Sequence, residues 1–190
     1  MGGRVRATIL TAILFAAPAA QAVPLQDRFP ACLSCHGESG TSMNTEVPSL
    51  GAQREPYALI QLYLFREKLR LNEVMNAMTH DFKDEDLQTY AHAISELPPP
   101  APVTAPADAA VMDRGRGLAD KYRCNFCHAA DLTGRDNVPR IASQREDYLV
   151  KTLLEYKANT RHGYDGSMAE VLAPISGQEI EDVAYFVARQ

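Results

Sequence analysis

No stretch of this chain is apolar for long enough to span a bilayer, and it contains no Gly-rich phosphate loop, nucleophile–base constellation or substrate motif. Strand-type alternation is weak, tryptophan is absent and cysteine is confined to four positions. Positive charge is also in short supply: 19 Lys and Arg stand against 24 Asp and Glu, a formal charge of -5. The shortage of basic residues argues against nucleic acid and anionic membrane as partners.

The N-terminal apolar run has the marks of an export signal. Arg4 and Arg6 precede Ala7 to Ala17, and Ala20-Gln21-Ala22 has the small–x–small pattern of a cleavage site,. Pro18 interrupts the run, which is too short for a transmembrane helix. The expectation is a signal peptide over 1–22, cleaved after Ala22, with no transmembrane segment left and a soluble periplasmic location. Cleavage removes Arg4 and Arg6 and takes the formal charge from -5 to -7. Export also places the four cysteines in an oxidising compartment,.

The remaining chain contains one unit twice. CLSCHGESGTSMNTEVPSLGAQREPY in the first half aligns with CNFCHAADLTGRDNVPRIASQREDY in the second. Cys32 matches Cys124 at an offset of 92, while Pro48 and Pro139, Gln53 and Gln144, and Tyr57 and Tyr148 match at 91, so one loop residue has been lost. Between the copies, residues 98–110 read PPPAPVTAPADAA, a Pro-rich linker that cannot build a core,. The expected organisation is an N-terminal domain over 23–97, the linker over 98–110 and a C-terminal domain over 111–190. Units of this size are marginal without a staple. Apolar residues at i, i+3, i+4 and i+7 predict helices around Leu87–Ile94, Leu149–Tyr156 and Ile180–Val187, the last opened by a Ser176/Glu179 capping box,. The expected fold class is all-α.

The sequence C-x-x-C-H, at Cys32–His36 and again at Cys124–His128, carries the chemistry. Two CxxC pairs could hold a zinc ion, but that leaves both histidines without a role. A redox dithiol belongs at a strand-to-helix junction, and the strands are missing. A disulfide also leaves the histidines unused. Covalent haem uses every residue: each cysteine adds to one vinyl group and the histidine becomes the proximal ligand. A sixth ligand should recur in both copies. Met75 and Met168 hold the same place, eleven residues before Asp86 and Glu179 of the final helices. Met43, Met78, His80, His92 and His162 have no counterpart. A thioether is soft and neutral, favours ferrous iron, and closes the position that substrate chemistry would need.

CxxCH, then VPxLxxQ, then an aromatic-rich helix with a basic end, then a methionine before a terminal helix, resembles the class I cytochromes c. Two such sets in one chain resemble the dihaem two-domain type, the cytochrome c-four group. The resemblance implies two tandem helical haem domains and two covalently bound haem c groups. It assigns Cys32 and Cys35 to the first haem with His36 and Met75 axial. Cys124 and Cys127 fall to the second, with His128 and Met168 axial. It also implies that the carbonyls of Pro48 and Pro139 accept from the proximal histidines, and that Arg70 and Arg161 lie near haem carboxylates. The chain departs from the family in having only ten residues from Val23 to Cys32, so a short N-terminal helix is expected there. Leu69 and Thr160 replace a family glycine.

The function implied is electron transfer, with no catalysis by this chain. A periplasmic carrier would link a quinol-oxidising complex or dehydrogenase to a terminal oxidase or reductase. Its acidic surface suits redox partner proteins with basic rims. The alternative is the electron-accepting cytochrome subunit of a periplasmic enzyme, such as a flavin-dependent sulfide dehydrogenase. A zinc-stapled binding module is the third reading.

Overall fold

The computed structural model describes residues 25–161 and 166–190. The expected signal peptide and His162 lie outside the described residues. Among the described residues four helices form the first unit: α1 (Leu25–His36), α2 (Glu55–Arg66), α3 (Glu73–Thr79) and α4 (Asp84–Ser95). Five form the second: α5 (Ala109–Lys121), α6 (Cys124–His128), α7 (Glu146–Lys157), α8 (Ser167–Leu172) and α9 (Gly177–Val187). Among the described residues the only β-type pairing is an isolated bridge between Arg135 and Val138. The all-α, two-domain expectation is met.

The predicted periodic segments are α4, α7 and α9; α4 and α9 bury their apolar stripes, whereas on α7 Leu149 is buried and Thr152, Leu153 and Tyr156 are half-buried. Leu87, Tyr90, Ala91 and Ile94 of α4 pack against Ala58 and Leu62 of α2, and Phe82 stacks on Tyr90 with ring centroids 4.5 Å apart. In the second unit Ala184 and Val187 of α9 meet Ala119 of α5 and Leu149 of α7. Ser176 and Glu179 close the expected capping box at the start of α9. At α4 the lysine ammonium has no lone pair to accept with, so only half a box forms: the Lys83 N–H donates to Asp86 at 2.9 Å.

Gly115 allows α5 to cross α9 closely. A Cβ there would lie 2.3 Å from the Asp182 carbonyl oxygen and 2.5 Å from Phe186 Cβ. Beside it Arg114 joins the two helices: its Nε and Nη2 donate to the Asp182 carboxylate at 2.8 and 3.1 Å. Gly115→Ala is expected to destabilise the protein by roughly 1–3 kcal/mol through overpacking. Gly117→Ala, where nothing lies within 4 Å, should stabilise it by about 1 kcal/mol through helix propensity. Denaturant titration of the two variants checks the opposite signs.

The duplication extends to backbone conformations that side chains disfavour. Positive φ recurs at Gly37 and Ala129, at Gly40 and Leu132, at Ala52 and Ser143, and at Lys68 and Asn159. The first two pairs are separated by 92 residues and the last two by 91, the same slip that the sequence alignment shows. A non-glycine residue in this region costs about 1–2 kcal/mol, and the surrounding loops hold it there in both copies.

The two N-terminal segments differ. In the first unit a single helix, α1, runs through the CxxCH motif, with Leu25 to Ala31 of the helix ahead of Cys32. In the second, α5 is a full helix of 13 residues. It ends before Arg123, whose φ of 57° turns the chain into the separate α6. Asp108 caps α5 by accepting from Ala110 and Val111. The last two residues of the Pro-rich stretch, Ala109 and Ala110, therefore belong to the first turn of a helix.

Candidate functional site

One helical turn carries each CxxCH, so both sulfurs and the imidazole are presented together. His36 ends α1 and His128 ends α6, and both are buried, at 7% and 6% exposure. His36 Nδ1 lies 2.8 Å from the Pro48 carbonyl oxygen, and His128 Nδ1 lies 2.9 Å from that of Pro139. A carbonyl can only accept, so Nδ1 carries the proton in each ring and Nε2 keeps its lone pair. Burial lowers the pKa of both histidines, and the proline carbonyl bond that pushes the other way does not overcome it. Both imidazoles are neutral, oriented and able to ligate a metal. The prolines do what the resemblance implied.

Among the described residues no disulfide joins the four cysteines. Burial pushes Cys32 and Cys124 up from the ordinary thiol value, whereas a redox-cycling dithiol relies on a stabilised thiolate. Among the described residues no three His, Cys, Asp or Glu side chains gather as a zinc centre requires. The geometry favours neither the dithiol nor the zinc reading.

Met75 sits in the first turn of α3, where the Asn72 side chain accepts from its N–H at 2.9 Å, and it packs on the first core. Met168 opens α8 and packs beside Leu172, Ile175 and Ile180. In both units the methionine is therefore on a short helix just before the terminal one. Of the rivals, Met43 is 84% exposed, and His80 and His92 are on the surface, paired with Asp81 and Glu55.

A cavity of about 300 Å³ tests whether the second unit fits a haem. Cys124, Cys127, His128 and Met168 all line it, and Leu149, Ile180 and Val183 give it an apolar wall. Two buried polar atoms on its lining have no partner, Arg140 Nε and Thr152 Oγ1. An unpaired guanidinium N–H costs desolvation energy unless an anion meets it, and burial lowers the Arg140 pKa accordingly. A large apolar group with carboxylate arms, attached to two sulfurs and bonded to His128, fits this set of residues.

The cavity reaches the first unit at Pro48, Ser49 and Tyr57, and there the two units meet. Arg70 and Arg161, equivalent by the duplication, both donate to the Tyr148 hydroxyl at 3.3 Å. Burial raises the Tyr148 pKa, but the two guanidiniums outweigh it and bring the phenol below its ordinary value. Charged contacts add to the interface: the Glu46 N–H donates to Asp147 at 2.9 Å and the Lys151 ammonium meets the Glu46 carboxylate at 2.9 Å. Gln53 and Gln144 reach across to backbone groups of the opposite unit. The sequence marked both glutamines as a recurring pair. Their destination depends on how the units dock, which no local pattern encodes.

Two all-helical units, each presenting a neutral buried histidine directly after two cysteines on one turn, define a c-type cytochrome of two haem domains. No family model matches the chain. It is 30% identical over 170 residues to "Cytochrome c4" of Thiocapsa roseopersicina, covering 82% of this chain and 85% of that protein. It is 28% identical over 191 residues to the "Thiosulfate dehydrogenase electron acceptor" of Thiomonas intermedia, covering 95% and 88%. The crystal structure of reduced recombinant cytochrome c4 from Pseudomonas stutzeri superposes with a TM-score of 0.77 at 26% identity, over 86% of this chain and 95% of that one. The chain belongs to the cytochrome c4 family. It is a dihaem electron-transfer cytochrome with two covalently bound haem c groups.

Proposed function

We propose that Cys32 and Cys35 attach the first haem, with His36 and Met75 axial, and that Cys124 and Cys127 attach the second, with His128 and Met168 axial. The observation that carries this reading is the paired Nδ1–carbonyl bond, His36 to Pro48 and His128 to Pro139, which turns a bare Nε2 toward each site. Haem supplies a one-electron couple when bound. The residues fix its surroundings: the proline carbonyls hold the histidines, the methionines close the sixth position, and the apolar walls exclude water. Each unit, 23–97 and 111–190, carries one haem, and the 98–110 segment joins them.

The protein works in the periplasm after removal of residues 1–22. It takes electrons from a quinol-oxidising complex or dehydrogenase and passes them to an oxidase or reductase, performing no catalysis itself. Among the described residues no helix is long and apolar enough to cross a membrane, in keeping with that location. A second reading is the electron-accepting partner of a thiosulfate-oxidising enzyme. It is favoured by the 28% identity, over 95% of this chain, to a relative named for that role. In this reading the oxidised substrate is a sulfur compound, as in the sulfide dehydrogenase alternative.

Gel filtration of native periplasmic extract, followed by c-type haem absorbance and by the mass of this chain, separates the readings. Elution of the chain alone, with a mass increment of two haems, supports the free carrier. Co-elution with a dehydrogenase that reduces the haems on adding thiosulfate supports the second reading. A chain without haem from a maturation-competent host overturns both.

A further inference from the structure

We propose that Gln53 and Gln144 are positioning residues for the proximal histidine of the unit to which they do not belong. This rests on the reading of His36 and His128 as axial ligands. The peptide group joining Pro48 to Ser49 has both of its polar atoms committed. Its carbonyl oxygen accepts from His36 Nδ1 at 2.8 Å, and its N–H donates to Gln144 Oε1, in the second unit, at 2.8 Å. The duplication produces the mirror arrangement. The carbonyl joining Pro139 to Arg140 accepts from His128 Nδ1 at 2.9 Å, and its N–H donates to Gln53 Oε1, in the first unit, at 2.8 Å.

The amide orientations follow from the partners. Gln144 Nε2 donates to the Ser49 carbonyl at 2.9 Å and Gln53 Nε2 to that of Arg140 at 3.1 Å; a flipped amide would set donor against donor. Each Oε1 also accepts from the N–H of the following residue, Arg145 at 3.0 Å and Arg54 at 2.9 Å. The glutamines are 8% and 7% exposed, so water cannot readily take their place.

A general interdomain clamp could grip any backbone segment. These two grip the one peptide in each unit whose carbonyl holds the proximal ring, and they do so in both directions. Donation from the peptide N–H shifts electron density onto the carbonyl oxygen and makes it a better acceptor. Neighbouring hydrogen bonds in such a chain strengthen one another by roughly 10–30%. A stronger bond at Nδ1–H makes Nε2 more basic, which stabilises ferric iron. Each glutamine therefore lowers the potential of the haem in the other unit, so the docked state sets both potentials.

The test is a redox titration of the holoprotein, with the two haems followed separately through their axial-methionine methyl signals. Gln144→Leu is expected to raise the potential of the His36 haem and leave the His128 haem unchanged; Gln53→Leu should do the reverse. Lys151→Met removes a different interdomain contact, with Glu46, and should move neither. Gln144→Glu, which keeps a carboxyl oxygen facing the Ser49 N–H, should show no rise, and it serves where the leucine variant separates the units. A shift in the same unit, an equal shift of both haems, an equal effect of Lys151→Met, or no shift overturns the relay. A native protein lacking His/Met signals would instead show that the axial assignment itself is wrong.

Discussion

A chain made without haem attachment to Cys124 and Cys127 is expected to lose its C-terminal unit as a folded body. The cavity beside these cysteines is about 300 Å³. Its apolar wall left open to water forfeits roughly 25 cal/mol per Å² of the area the group would cover, against a whole stability of about 5–15 kcal/mol for a small domain. Two buried polar atoms on the wall, Arg140 Nε and Thr152 Oγ1, would stay unpaired and add to the cost. The rest of its core is the α5–α9 crossing with the face of α7, and a smaller cluster of Leu172, Ile175 and Ile180 against which Met168 packs. In a Cys124→Ala/Cys127→Ala chain, amide exchange should show loss of protection across α5, α7 and α9. Helical circular dichroism should fall by about the share those helices contribute. Native-like protection in α9 would mean that the core stands without its prosthetic group, and that the cavity collapses at low cost.

The same physics explains which parts of the molecule were legible in the sequence. Helices α4 and α9 bury a continuous stripe on a core made by nearby residues, and α7 turns its stripe, Leu149, Thr152, Leu153 and Tyr156, to the cavity, so their periodicity carried the message. The two CxxCH histidines, buried and held on proline carbonyls in both units, were legible because the motif keeps its residues contiguous. By contrast, the sequence patterns do not reveal that Arg70 and Arg161 meet on one phenol, Tyr148. The resemblance led to the expectation of haem carboxylates near both arginines. The structure adds that the pair lies at the junction of the units, where two like charges are held together by one shared acceptor. Gln53 and Gln144 stood out as part of a repeated string. Each side chain accepts from the first N–H beside its own helix and also crosses the interface. Which peptide they would grip was hidden, because it depends on a relation between units 95 residues apart in sequence, as at Gln144 and Ser49.

Replacing the methionines proposed as axial ligands, Met75 and Met168, is expected to convert this protein from a closed electron carrier into one that binds small ligands. With each iron held as proposed, between a thioether and an imidazole, the reduced native protein should take up no carbon monoxide. Removing Met168, which lines the cavity with His128, opens one position, and Met168→Ala should bind about one equivalent per chain. The potential of that haem should fall as well, since the soft ligand that favours ferrous iron has been lost. The first unit has a complication that the second lacks. Met78 lies three residues beyond Met75 on α3, on the same side of the helix,, whereas Val171 holds the matching place on α8. Met78 is 39% exposed, while Met75 packs against the first core. A Met75→Ala chain can therefore recruit the second thioether and stay closed. Met75→Ala/Met78→Leu removes that substitute and should bind about one equivalent, and combination with Met168→Ala should bind about two. Uptake by the reduced native protein would show that a sixth position is already open. Unchanged spectra and no uptake in Met168→Ala would move the ligand to another residue of the second unit. Stepwise uptake, tracking each deletion, assigns one methionine to each haem and accounts for electron transfer without catalysis at iron.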